Sequence, residues 1–262
     1  MLSWWGIADR EIDRDSQGVN TDLLVPAVLD AAADSGMHVS WHIEPYGGRT
    51  PQSVLADLRY LHERYGGHRA VWRHPERGLP IVFLYDVSAE HSGGDDEKRR
   101  REAVAAWAVA LSELRGGAAD AILLSLYHDR RDVSFVSSTG MDGAYTYFAA
   151  EGFTEGSTIE HWAVAKRELD AAGKLFVPSV GPGYKDTGIR PWNHQNTKER
   201  RGKGPVGSDP TPQPSQLLAC ATVSCCLRSA APCPGGGRWR VLRSHVARGV
   251  ADPSVRDHYH IV

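Results

Sequence analysis

The sequence predicts an α/β fold: a (β/α)8 barrel of the TIM type, incomplete, followed by an irregular C-terminal tail. Three observations carry this reading. Short apolar runs alternate with amphipathic helical patterns over the first 204 residues, the rhythm of β-α units repeated around a parallel sheet. The first run leads into Trp4-Trp5-Gly6-Ile7-Ala8-Asp9, which has neither the GxGxxG turn nor the Walker sequence of a doubly wound nucleotide-binding sheet. Aromatic, imidazole or carboxylate residues follow nearly every run: Trp5, His42 and Glu44, Tyr85 and Asp86, Tyr127 and His128, Tyr145 and Tyr147, Tyr184. Barrels build their sites at these strand ends.

Six strands are expected, near Leu2 to Trp5, Met37 to His42, Leu79 to Tyr85, Ala121 to Leu126, Gly143 to Tyr147 and Lys174 to Ser179. A helix is expected over Thr21 to Ser35, its first turns limited by Pro26. Thr50-Pro51 reads as an N-cap with proline at the first helical position, Leu58, Leu61 and Tyr65 share a face, and Gly66-Gly67 ends the run. Asp95, Asp96 and Glu97 suit a helix N-terminus, and Val104, Trp107, Leu111 and Leu114 form the stripe behind them before Gly116-Gly117. Ser157 and Glu160 have capping-box spacing, with Trp162, Ala165 and Leu169 following and Gly173 at the far end. Six units are two short of eight, and 204 residues is short for a complete barrel.

A boundary is expected at residue 205. All four cysteines, Cys220, Cys225, Cys226 and Cys233, lie beyond it, in a segment with six Arg, three Asp and no Lys or Glu. The residues before it carry 24 basic against 29 acidic groups. The tail, residues 205–262, lacks strand-helix rhythm and is expected to be disordered. The Cys spacing lacks the paired CxxC knuckles of structural zinc, and any disulfide pairing cannot be read from it. The formal charge of -2 excludes a chain that gathers nucleic acid or an anionic membrane by its field alone. No apolar stretch approaches the roughly 18 to 20 residues of a spanning helix, and Met1 leads into no signal-like core, so no membrane contact by the chain itself is expected. No N-x-S/T sequon occurs.

A ring of Trp and Tyr with carboxylates and amides suits a sugar, whose CH faces stack on aromatic rings while its hydroxyls take directional hydrogen bonds. Any one of these aromatics serves equally well to close the barrel core; their recurrence over several strands points to a site. His42-Ile43-Glu44 puts two polar side chains on one side of a strand. With His128 they resemble a hydrolytic metal set, but no metal is expected. Gly181-Pro182-Gly183-Tyr184 makes a tight excursion after the last strand, and Arg190-Pro191-Trp192-Asn193 with Asn196 forms a polar aromatic loop of the kind that binds.

The segments His42-Ile-Glu-Pro-Tyr46 with Gly48-Arg49, Asp142-Gly-Ala-Tyr-Thr-Tyr-Phe148, Val177-Pro-Ser-Val-Gly-Pro-Gly-Tyr184, Asp186-Thr187, Arg190-Pro-Trp-Asn193 and Asn196-Thr197 resemble the glycoprotein endo-alpha-1,2-mannosidases, glycoside hydrolase family 99. Asp22-Leu-Leu-Val-Pro26 and Leu84-Tyr85-Asp86 also match, and the agreement is collinear from about Ser3 to Gly204. The resemblance implies a (β/α)8 barrel that hydrolyses the alpha-1,2-mannosidic bond of glucosylated high-mannose N-glycans without metal or organic cofactor. It implies Golgi glycan processing, with an N-terminal membrane anchor in animal members. It also implies a retaining reaction in which one carboxylate deprotonates the sugar 2-hydroxyl, which attacks the anomeric carbon, while a second serves as general acid and then base. On this resemblance the substrate-binding residues are Trp5, His42, Glu44, Tyr46, Tyr85, Asp86, Tyr145, Tyr147, Tyr184, Arg190, Trp192 and Asn193. Both family carboxylates belong to a late motif like N-E-W-H-E-G, and the chain has no Glu after Glu199, so no catalytic residue is assigned. The family's first strand is likewise expected before Met1. The alternatives to an enzyme are a sugar-binding remnant and a fragment that does not fold.

The abrupt change of composition gives a testable expectation. Reading the transcript across the codons for Gly202 to Gln216 is expected to show a retained intron or frame change whose correction restores the N-E-W-H-E-G ending; a continuous frame through those codons, unaltered in every transcript, overturns it.

Overall fold

The computed structural model describes residues 1–7, 18, 20–88, 97–147, 154–179, 185 and 187–194. Six strands alternate with helices: β1 (Leu2–Trp4), β2 (Trp41–Ile43), β3 (Ile81–Leu84), β4 (Ile122–Leu126), β5 (Gly143–Tyr145) and β6 (Leu175–Val177). All five pairings are parallel, and the strands lie side by side in chain order, β1 to β6. The strand order never reverses, so there is no switch point of the doubly wound type. The helices α2 (Pro51–Tyr65), α3 (Glu97–Leu114), α4 (Arg131–Thr139) and α5 (Ile159–Ala171) touch one another in sequence along one face. This is the winding of a (β/α)8 barrel, with six of its strands described.

Alternation along the strands divides the core. Trp41, Ile43, Val82, Leu84, Leu123, Ala144 and Phe176 are buried on the helix side. Ile81, Phe83, Ile122, Leu124, Leu126, Tyr145 and Val177 form a second cluster on the opposite, inner face. The register Ser3, His42, Phe83, Leu124, Gly143, Leu175 runs across all six strands and sets these residues on that same inner face. Gly143 is small because its neighbour demands it: a Cβ there collides with the Leu175 backbone carbonyl.

The expected helices form with local corrections. Thr50 caps α2 by accepting from the Ser53 N–H at 3.0 Å, and the Ser53 hydroxyl accepts in turn from Thr50 N–H at 2.8 Å, with Pro51 in the first turn. Pro26 sits in the first turn of α1 (Val25–Asp34), and a separate 3-10 turn, Thr21–Leu24, precedes it, so the expected single helix is two elements. The stripe of α3 is buried at Trp107, Leu111 and Leu114 and half-buried at Val104; Asp95 and Asp96 lie outside the described residues. Ser157 does not cap α5. It exchanges hydrogen bonds with Thr154 one turn earlier, and Thr158 takes the N-cap position without a side-chain bond. The sequence reading missed α4, whose Ser, Thr and Val residues have weak helix propensity. Phe135 and Val136 pack it into the helix-side core, and Gly140, at φ +82°, ends it in the left-handed conformation that glycine adopts without strain.

One buried carboxylate ties the start of the sheet to the helix layer. Asp22, 2% exposed, accepts from Trp4 Nε1 at 3.2 Å, the Tyr60 hydroxyl at 2.6 Å and the Tyr65 hydroxyl at 3.0 Å. Burial, and then the bond to Asp22, push the Tyr60 hydroxyl far above its ordinary pKa, so it remains a donor. Replacing Asp22 with Ala strands two buried donors and a half-buried one and is expected to lower stability by about 3 kcal/mol, read from urea midpoints of the full chain. A loss below about 1 kcal/mol shows that the donors find other partners.

Candidate functional site

The inner face changes character toward the C-terminal ends of the strands. Below, it is Ile81, Ile122 and Leu124; above, it becomes imidazole, carboxylate and phenol. His42 is the hub. Its Nδ1 lies 2.7 Å from Glu44 Oε1 and its Nε2 2.8 Å from the Tyr145 hydroxyl, while Ser3 donates its hydroxyl to the same Glu44 oxygen at 2.8 Å. Tyr147 stacks on the imidazole, with centroids 5.1 Å apart and planes 16° from parallel. Tyr85 meets the His42 ring at 68° and the Tyr147 ring at 83°. His42 and Tyr145 are 2% and 1% exposed, whereas Tyr85 and Tyr147 are half-buried and form the accessible wall.

The electrostatics favour neutral phenols. Burial first, and then the Glu44 carboxyl, raise Tyr145 well above its ordinary pKa; burial followed by Asp86 and Glu44 raises Tyr85. Both rings therefore keep their protons and offer O–H groups. Arg49, absent from the sequence-derived site, joins two strand-end turns by donating to the carbonyls of Tyr85 and Asp86, each at 2.6 Å. Burial lowers the Arg49 guanidinium pKa, with the nearby Asp86 charge opposing. Asp86 has φ +48°, a conformation uncommon outside glycine but accessible to Asp, and the grip of Arg49 on its carbonyl holds it there. Arg49 lies inside the His42 to Arg49 motif, a signal that could have nominated it.

His42, Glu44, Tyr85, Tyr145 and Tyr147 are thus brought together, with Asp86 adjoining through Arg49. Tyr46 is placed elsewhere: its hydroxyl bonds Ser53 at 2.8 Å and also Asp57, which holds the ring against α2 on the helix side. Trp5 packs against that helix-side core too, its backbone N–H donating to the Thr21 hydroxyl at 3.1 Å. Arg190 and Trp192 are exposed at a 3-10 turn, Pro191–Asn193, with Trp192 at 74% exposure. Tyr184, Asn196 and the four cysteines lie outside the described residues, as does the side chain of Asn193. Among the strand-end candidates, Tyr127 is fully buried on the helix side against Phe176. Among the described residues no group of three His, Cys, Asp or Glu is placed to hold a metal, and no helix is long and apolar enough to cross a membrane.

A parallel barrel with an imidazole-centred aromatic cluster at the carboxyl ends of its strands defines the class: a (β/α)8 protein with its candidate site where such barrels do chemistry. The Glycosyl hydrolase family 99 pattern matches residues 1–205, and the chain belongs to that family. It is 36% identical over 213 residues to the mouse glycoprotein endo-alpha-1,2-mannosidase-like protein, covering 76% of this chain and 42% of that one. The mouse glycoprotein endo-alpha-1,2-mannosidase is 36% identical over 207 residues, with 76% and 41% covered. The solved GH99 endo-alpha-mannosidase from Bacteroides thetaiotaomicron superposes with a TM-score of 0.60 at 37% identity, covering 77% of this chain and 54% of that one. The chain therefore spans under half the length of these curated relatives.

At the start of α4, Asp132 is fully buried. One carboxylate oxygen accepts from the N–H groups of His128 at 2.7 Å and Asp129 at 3.3 Å, and the Ser88 side chain lies against the group. The His128 imidazole is 3.8 Å away. Desolvation raises the Asp132 pKa, opposed by the bonds from His128 and Asp129 and by Ser88, and assisted by the Asp129 charge. A raised folded-state pKa means that both states are protonated below about pH 4, and that stability is lost as pH climbs through the folded value. Asp132→Asn keeps an acceptor oxygen and removes the ionisation. The variant is expected to match the wild type at pH 4 and to exceed it at pH 7 in urea midpoint. A wild type that gains on the variant as pH rises shows that the ionised form is the stabilised one.

Proposed function

We propose that the inner aromatic cluster is the sugar-binding floor of a glycosidase of the endo-alpha-1,2-mannosidase type, acting on the alpha-1,2-mannosidic bond in glucosylated high-mannose N-glycans. The observation that carries this reading is the half-exposed pair Tyr85 and Tyr147 over a buried His42, at the strand ends of a family 99 barrel. Aromatic faces take the CH surface of a pyranose, and the surrounding hydroxyls and guanidinium orient its oxygens. Arg190, Trp192 and Asn193 extend the site along the rim, and Tyr184 completes the proposed set. The substrate is the N-linked oligosaccharide of glycoproteins, the reaction uses neither metal nor organic cofactor, and the place of action is the Golgi apparatus. Residues 1–204 form the hydrolase barrel, and residues 205–262 are an appended segment without a part in it.

Cleavage needs two acidic groups flanking one glycosidic bond. Residues 1–262 hold no N-E-W-H-E-G sequence and no Glu beyond Glu199, and this favours a second reading, recognition of the glycan without hydrolysis. Incubating the full chain with a glucosylated high-mannose glycan separates the two. Release of a glucosyl-mannose disaccharide is the outcome of the first reading, and saturable binding without product that of the second. In either case Tyr147→Ala, which removes the stacking surface, is expected to weaken glycan binding at least about tenfold, measured by calorimetry. Unchanged affinity in that variant overturns the sugar-site assignment.

A further inference from the structure

His42 stands among the substrate contacts expected from sequence, yet the geometry leaves it nothing to offer a ligand. Both ring nitrogens are engaged, Nδ1 by Glu44 and Nε2 by Tyr145. One face is covered by Tyr147, and the ring is 2% exposed. The directions of these bonds follow from donor and acceptor capacity. An ionised Glu44 only accepts, and its Oε1 already accepts from Ser3, so the imidazole must present Nδ1–H to it. In the neutral ring Nε2 is then a lone pair that accepts the Tyr145 O–H. Turning the ring over exchanges nitrogen for carbon at both contacts and breaks both bonds.

We infer that Glu44, held in place by Ser3, is a positioning residue: it sets the tautomer and orientation of His42 and, through that ring, the stacking of Tyr147, the half-exposed surface a sugar face meets. This inference rests on the sugar-site reading for its purpose but not for its structural content. The order of dependence runs from β1 to β5. Ser3 orients Glu44, Glu44 orients the imidazole, and the imidazole supports one tyrosine by its face and directs the other by its nitrogen. Removing the Glu44 acceptor leaves a buried N–H without a partner, which the ring relieves by reorienting.

The test is histidine-selective 15N NMR on the full chain, with His42 assigned from the spectrum of His42→Gln. The wild type is expected to show only the Nδ1–H tautomer. Glu44→Gln retains it, because an amide oxygen still accepts. Glu44→Leu shifts His42 toward Nε2–H and moves the Tyr147 ring resonances away from their stacked positions. Ser3→Ala, a milder change that carries the test should Glu44→Leu fail to fold, gives a mixture of tautomers. A wild-type Nε2–H tautomer overturns the inference, and so do substitutions at Glu44 and Ser3 that leave both the His42 and Tyr147 signals unmoved. A ligand arm with α-1,2-mannobiose separates this from the functional reading. Glu44→Leu and Tyr147→Ala are each expected to lower affinity about tenfold. A wild type with the Nδ1–H tautomer and no mannobiose binding sinks the sugar-site reading alone. Binding abolished by Tyr147→Ala but untouched by Glu44→Leu sinks the positioning role alone.

Discussion

Burying the carboxyl of Glu44 beside an imidazole at the end of β2 is the constraint around which the upper half of the inner face is arranged. A charge removed from water is tolerated only where hydrogen bonds replace its hydration. Ser3 and His42 supply those bonds, from β1 and from the same strand. His42 in turn requires a donor for its second nitrogen, which is the phenol of Tyr145 on β5. Three strands are coupled by one satisfied polar chain, and the rings of Tyr85 and Tyr147 pack on its imidazole.

The helix side solves a similar problem differently. There Asp22 is surrounded by neutral donors from Trp4, Tyr60 and Tyr65, so one carboxylate joins β1, the 3-10 turn and α2. At the opposite end of the strands, Asp142 accepts from Arg77 at 2.9 Å, Arg115 at 2.8 Å and the Leu123 N–H at 2.9 Å. These networks lie away from the His42 cluster and hold the frame. The division matches the division of labour in parallel barrels, in which strand C-termini carry the site and the opposite ends carry stability.

Much of this was legible beforehand because its causes are local. Alternating apolar runs and capping signals placed six strands and four of the five α-helices, and the polar residues after the strands located the cluster. The errors fell where tertiary contacts override local preference. α4 forms from poor helix formers because Phe135 and Val136 find a core to enter. Ser157 satisfies the capping-box spacing yet is engaged by Thr154 instead of leading α5. Tyr46 follows His42 and Glu44 in one motif, but Asp57 and Ser53 of α2 claim its hydroxyl. Spacing along a chain does not reveal which partner a hydroxyl meets after folding.

From the sequence alone came the winding of the sheet, the buried faces of α2, α3 and α5, the family and the absence of its late acidic motif, since periodicity, caps and collinear motifs are properties of neighbouring residues. Only the tertiary structure decided that His42 is an enclosed hub, that Tyr85 and Tyr147 are the accessible rings, and that Ser3 and Arg49 belong with the site. Those assignments depend on donors and acceptors between 36 and 103 residues apart meeting within 3 Å, and such pairings exist only once the strands are side by side.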